Sequence, residues 1–461
     1  MKPVSFSVLL ILLMSCNTFT TNNITPYLKV SGNNRFLVTA NDDPFFWLGD
    51  TGWLLPTKLD REEAEAYLED RRQKGFNVIQ VSVLHDIRSA VNIYGDTAII
   101  DKCIDRPKVT KGKSPDKPEQ YDYWDHIDYL IESAGKKGLY MALVLVWGSN
   151  VRSGLVTAEQ AAKYGEWIAE RYRDRPNVIW INGGDVRGDD STSVWKALGS
   201  AIRRTSRDQL ITYHPFGRTQ SSAWFHDEEW LDFNMFQSGH RRYDQDTAGL
   251  AYGEDNWKYA ADDYSKIPVK PTLDGEPSYE GIPLGLHDTT QPYWTDKEIR
   301  RYAYWSVFAG CCGFTYGHNA VMQFYKPEDT RPAYGAKEYW DTAINAPGAS
   351  QMQYLKELIL SKSFFDRVPA NDLLAEAQGN RYDYVAVTRG KDYVFAYTWT
   401  GRDFALDTQK LPDDEYKALW FNPRTGIISP FDSYSNTKII TFNPPGEEEA
   451  GNDWVLILEK I

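Results

Sequence analysis

The sequence predicts an α/β fold: a (β/α)8 TIM barrel followed by a small all-β sandwich domain. Two observations carry this. Eight short apolar runs alternate with stretches of helical period over about 330 residues, the length of an eight-stranded barrel with insertions. From about Pro369 the texture changes to short alternating strands with Gly, Asn and Pro turns. A doubly wound open sheet is the competitor. It is disfavoured because no Gly-rich phosphate loop follows the first run.

The runs fall in order. "FFWLGDT" (45–51) is the first strand, and "REEAEAYLEDRRQKG" follows with helical period and a stopping Gly75. "NVIQVSVL" (77–84) is the second. A long polar insertion, 88–117, precedes the helix "YWDHIDYLIESAGKKG". "YMALVLVW" (140–147) and "NVIWINGGD" (177–185) are strands three and four, each followed by a helix. "LITYHPF" (210–216), "LDFNMFQSGH" (231–240), "KPTLDGEP" (270–277) and "CCGFTYGH" (311–318) complete the eight. "SQMQYLKELILSK" is the last helix. Beyond it, "YDYVAVTRG", "DYVFAYTWTG", "YKALWFNPRTG", "KIITFNPPG" and "DWVLILEK" read as sandwich strands.

The N-terminus sets a compartment. "MKPVSFSVLLILLMSC" has one Lys and an apolar run too short to span as a helix. Leu13-Met14-Ser15-Cys16 resembles the lipobox of bacterial lipoproteins, so residues 1–16 are expected to be a signal peptide ending at a lipidated Cys16. Residues 17–26 form a polar tether, 27–368 the barrel and 369–461 the sandwich. An ordinary secretory signal is the alternative, and either exports the chain. The expectation is an outer-membrane lipoprotein on the periplasmic or cell-surface side, acting as a monomer.

Composition narrows the function. Lys and Arg number 51 against 64 Asp and Glu, a formal charge of −13 with no basic run, which excludes a nucleic-acid groove. The 16 Trp and 29 Tyr suit both a core and a carbohydrate cleft. Four cysteines show neither metal spacing nor a disulfide framework, and Cys311 and Cys312 read as small core hydrophobes. No metal and no cofactor is expected: no HxH or HExxH occurs, nor a GxSxG elbow.

Barrel active sites sit at the C-terminal strand ends. Those ends carry Asp50, Thr51 and Trp53; His85 and Asp86; Trp147; Asn182 and Asp185; His214; Gln237 and His240; Asp274 and Glu276; Tyr316 and His318. Strands four and seven face each other across the mouth, so Asp185 and Glu276 form the candidate pair. Two carboxyls flanking one bond are the minimum equipment for glycoside hydrolysis. One must be protonated and the other ionised. Trp53, Trp147 and Tyr316 are expected to wall a sugar. Asp50, His85, Asn182, His214, Gln237 and His318 are expected to hold its hydroxyls. Arg88, Arg187, Arg241 and Arg242 follow strand ends and are candidates for gripping carboxylates on an acidic substrate.

The run "RFLVTANDDPFFWLGDTGWLLPTKLDREEAEAYLEDRRQKGFNVIQVSVL", with "WINGGD" and "DGEPSYEG", resembles glycoside hydrolase family 140, the apiosidase-like barrel enzymes. The likeness covers roughly Tyr27 to Lys362, and the C-terminal part is similar to the β domain that usually follows. It implies cleavage of apiose linkages in the plant pectin rhamnogalacturonan II. It also implies that Asp185, in the "GGD" motif, is the general acid/base and Glu276, in "DGEP", the nucleophile of a retaining mechanism. Two alternatives stay open. One is a glycosidase of the same fold acting on another furanoside or an arabinan-type glycan. The other is a non-catalytic surface lipoprotein that binds glycan.

Overall fold

The computed structural model describes residues 25–246, 251–412, 415–435 and 438–461. The expected signal peptide, Cys16 and tether residues 17–24 lie outside them.

Eight parallel strands form the expected barrel: β1 (Trp47–Thr51), β2 (Val78–Ser82), β3 (Tyr140–Val144), β4 (Val178–Val186), β5 (Ile211–Pro215), β6 (Asn234–Gln237), β7 (Thr272–Asp274) and β8 (Gly313–Tyr316). Hydrogen-bonded ladders run from β5 back through β1 and on through β8, β7 and β6. The two ends meet where Asp232 N–H donates to Ile211 O at 2.9 Å and Thr212 Oγ1 donates to Phe233 O at 2.7 Å. A two-residue strand, Thr219–Gln220, pairs antiparallel with β6 and gives the sheet its ninth member.

The helices start where their caps stand. Arg61–Gln73 opens with a capping box between Asp60 and Glu63, Tyr123–Lys136 with one between Asp122 and Asp125, and Ala158–Tyr172 with one between Thr157 and Gln160. Their apolar faces pack on the outer wall of the strands in one core with Leu68, Ile127, Leu130, Tyr164 and Ile168.

From Val368 the chain is all-β. Val368–Pro369, Val385–Arg389, Tyr393–Thr398, Trp454–Lys460, Glu415–Phe421 and Ile428–Ser435 form, in that spatial order, an antiparallel sheet. Phe404–Asp407 and Ile439–Phe442 pair separately. Strand alternation divides the burial. Val387, Val394, Ala396, Leu456 and Leu458 join Phe404 and Phe442 inside the sandwich. Ala386, Phe395, Tyr397, Val455 and Ile457 face the barrel and share a core with Tyr304, Trp305 and Phe308. Arg300, on the helix Asp296–Phe308, forks onto Asp453 with both side chains buried. Cys311 and Cys312 are buried and free. No helix among the described residues is long and apolar enough to cross a membrane.

Candidate active site

The two expected carboxylates meet in one cleft of about 740 Å³ at the C-terminal mouth of the barrel. β4 delivers Asp185 by an unusual backbone. Gly183, Gly184 and Asp185 take φ of 86°, 109° and 53°, all left-handed. The ladder to β5 slips between Gly183 and Val186. A Cβ on Gly183 would lie 2.4 Å from His214 O, so only glycine fits there. This bulge turns Asp185 out of the sheet and into the cleft.

β7 delivers Glu276. Just before it, Asp274 accepts hydrogen bonds from Ser238 Oγ and Ser306 Oγ, both at 2.8 Å. Burial pushes the Asp274 carboxyl up to about 7 against those donors. Glu276 O accepts from Gly239 N–H at 3.1 Å. The Glu276 side chain lies between two histidines. His240 Nε2 stands 3.0 Å from Oε1 and His214 Nε2 2.9 Å from Oε2. The first is a well-aligned hydrogen bond; the second has the distance but not the alignment. Asp185 N–H points to His214 Nδ1 at 3.3 Å, which leaves Nε2 to carry the proton toward Glu276.

These surroundings drive the two acids apart. Burial, then the Glu276 charge, raises Asp185 to about 6, while His214, His240 and the Gly217 N–H pull it back in part. Burial also works to raise Glu276, but the two close imidazoles, His240 through its aligned hydrogen bond and His214 beside it, outweigh it and hold the carboxyl well below its ordinary range. At mildly acidic pH one is an acid and the other an anion. That is the division acid-assisted glycosidic cleavage requires.

Of the other expected residues, Trp53, His85, Trp147 and Gln237 line the cleft. Trp53 and Trp147 meet edge-on at 5.1 Å, and His85 lies 4.9 Å from Trp147, forming one aromatic wall. Five expected roles need correction. Asp50 is 0% exposed, pairs with buried Arg71 at 2.9 Å and accepts from Tyr67, so it holds the barrel and not a sugar. Asn182 donates to Trp195 O at 2.8 Å, behind the sheet. His214 is wholly buried and braces Glu276. Tyr316 is wholly buried and donates to Glu280 at 2.7 Å, so it forms no wall. His318 accepts from Ala320 N–H at 3.1 Å and caps the turn Asn319–Met322.

The arginines sort likewise. Arg241 lines the cleft. Arg187 and Arg242 fork onto their neighbours Asp189 and Asp244. Arg88 is exposed and lies outside the cleft lining. Sequence reasoning missed Arg218, Arg331, Tyr279 and Tyr334, all in the cleft wall. Tyr279 packs on His240 at 4.7 Å and sits in the "DGEPSYEG" motif, which was its signal. Arg218, Arg331 and Tyr334 lie in loops and had none.

An eight-stranded barrel with two electrostatically separated carboxylates in one cleft at its mouth is the equipment of a glycoside hydrolase. The comparisons agree. Residues 31–366 match the family model described as "Apiosidase-like, catalytic domain", and the chain belongs to that family. Residues 368–459 match a model described as "Putative collagen-binding domain of a collagenase". A solved structure titled "Glycoside hydrolase" is 45% identical with a TM-score of 0.88, over 95% of this chain and 97% of that one. A glycoside hydrolase family 5 structure from Bacteroides vulgatus ATCC 8482 is 43% identical with a TM-score of 0.89, over 94% and 93%. No curated protein matches the chain.

Proposed function

We propose that this glycosidase is a member of glycoside hydrolase family 140 that cleaves apiose-containing linkages of rhamnogalacturonan II by a retaining mechanism. The observation that carries the chemistry is the Asp185–Glu276 pair, one carboxyl held up and the other held down in one cleft. Asp185 donates its proton to the glycosidic oxygen as the bond to the anomeric carbon breaks. Glu276 attacks that carbon and forms a glycosyl ester. Asp185, now ionised, takes a proton from water, which attacks the same carbon and frees Glu276. Trp53 and Trp147 give the sugar an apolar face to rest on. Arg241 and Arg331 place positive charge in the cleft wall of a protein of net charge −13, where an acidic polysaccharide would lie, while Arg218 shares its charge with Asp246. The export reading stands beside this: Cys16 is lipidated and holds the enzyme at the outer membrane.

Turnover on a panel of apiose-, arabinose- and galactose-linked oligosaccharides tests the substrate; activity confined to the arabinose-linked members would replace the apiose assignment. Glu276→Ala should abolish turnover on every substrate. Asp185→Ala should lose about 10²–10⁴-fold on natural linkages. It should lose far less on an aryl glycoside with a good leaving group, with azide speeding release of a retained product. An inverted azide product, or full activity in both variants, would overturn the mechanism. Cys16→Ala should release the protein from the membrane fraction; a wild-type protein already soluble would refute the anchor.

A further inference from the structure

The sandwich domain meets the barrel at several points, the buried Arg300–Asp453 pair and the stack of Tyr384 on Trp257 at 4.3 Å among them, and two others differ in kind. One is the broad aromatic core beside the helix Asp296–Phe308, where Tyr304 stacks on Tyr397 at 4.7 Å and Phe308 on Phe395 at 6.2 Å. The other is one short turn, Arg381–Asp383, which reaches the loop after β6. Tyr382 donates its hydroxyl to Glu254 Oε1 at 2.8 Å and meets the Tyr243 ring edge-on at 5.5 Å. Arg381 lies over that same ring at 4.8 Å. Glu254 is buried and also paired with buried Arg301, whose guanidinium sits over the rings of Tyr382 and Trp399 at 4.8 and 4.7 Å. The turn therefore grips both described limbs of the loop, 240–246 through Tyr243 and 251–257 through Glu254. The limbs are tied together by Tyr243 to Asp255 and by Gly253 N–H to Asp246 Oδ2 at 2.7 Å. Asp246 in turn pairs with Arg218 of the cleft at 3.3 Å.

His240 stands at the head of this loop with φ of 72°. A non-glycine residue held there is strained and persists only where its surroundings over-determine it. From one side, His240 N–H donates to Ser278 Oγ at 2.9 Å. From the other side, Tyr243, three residues on, is the side chain that the sandwich domain holds.

We infer that Tyr382 is a positioning residue for catalysis: through Tyr243 and Glu254 it holds the loop that presents His240 to Glu276. The appended domain is then part of the active-site support. The kinetic part of this inference rests on the glycosidase reading of Glu276; the structural part does not.

The test uses the full chain. In Tyr382→Ala, amide hydrogen exchange in 241–246 and 251–256 should quicken about tenfold or more. On a small neutral aryl glycoside, kcat should fall with KM little changed. The acid limb of the pH profile should climb toward the ordinary glutamate value of about 4, as Glu276 loses a fixed donor. Tyr382→Phe keeps the ring and loses only the Glu254 bond, so it should move the same readouts by less. Phe395→Leu loosens the other contact and should lower Tm without changing loop exchange or the acid limb. Unchanged loop exchange in Tyr382→Ala, or the same changes in Phe395→Leu, would overturn the inference. An inactive wild-type enzyme would instead refute the glycosidase reading, and the exchange comparison would still decide whether the turn holds the loop.

Discussion

Asp185 and Glu276 differ in side-chain length by one methylene, and their unperturbed acidities are close. What separates them is who donates to each. Glu276 has two imidazoles within 3.0 Å, whereas Asp185 has burial and a neighbouring anion. Activity requires Asp185 protonated and Glu276 ionised. Because Asp185 is raised to about 6, the protonated form is lost as pH rises, so kcat/KM should fall through about pH 6. Because Glu276 is lowered, the acid limb should lie well below the ordinary carboxylate range. A pH profile on a neutral oligosaccharide, whose poor leaving group needs the Asp185 proton, checks both limbs. His240→Ala should move the acid limb upward, since it removes a donor from Glu276, and should also lift the basic limb, since His240 pulls Asp185 down. Asp50 makes a contrasting case. Asp50→Ala would leave Arg71 charged and fully buried, without its close carboxylate and with Asp70 left at 3.7 Å. Such a loss costs about 3–5 kcal/mol. It should appear as a large drop in denaturation midpoint, with kcat per folded molecule nearly unchanged.

The strand ends are the elements that turn fold into site. β4 ends in three successive left-handed residues, and this one irregularity aims Asp185. Gly183→Ala brings a Cβ against the carbonyl of His214, the residue that braces Glu276. It should destabilise the protein by about 1–3 kcal/mol. It should also reduce kcat more than KM, because both carboxylates are displaced. Urea denaturation with kinetics on the same preparation checks this; an unchanged kcat would mean that the bulge does not place Asp185. Helix starts were readable from local chemistry, since Asp60, Asp122 and Thr157 make their caps within three residues of themselves. The direction of a polar side chain at a strand end was not readable in that way. Asn182 and Asp185 stand three residues apart on one strand, yet one turns behind the sheet to Trp195 O and the other into the cleft.

At the scale of the whole molecule, barrel and sandwich share one aromatic-rich core, beside the separate cores of the outer helices and of the sandwich interior. Deleting 369–461 would uncover Tyr304, Trp305 and Phe308 and leave Arg300 without Asp453. Each large side chain left uncovered forfeits about 1.5–3 kcal/mol. Net stability is only about 5–15 kcal/mol. The truncated barrel should therefore be insoluble or molten, as near-ultraviolet circular dichroism and ANS fluorescence would report. A soluble, active barrel would show that the sandwich is dispensable, and an isolated sandwich that pulls down pectin would give it a binding role.

Periodicity along the chain was enough to find eight strands, their helices and the all-β tail, because a strand or helix shows its buried face through its nearest neighbours in sequence. Motif spacing was enough to bring Asp185 and Glu276 to one mouth, because the barrel places every strand end on the same face. The partners lay beyond that reach. Arg71 claims Asp50, Glu280 claims Tyr316, and Glu276 claims His214, across separations of 21, 36 and 62 positions in the sequence. Whether a polar side chain meets substrate or another side chain depends on which partner folding brings within about 3 Å. That choice is made by contacts between distant segments, and only the packed structure contains them.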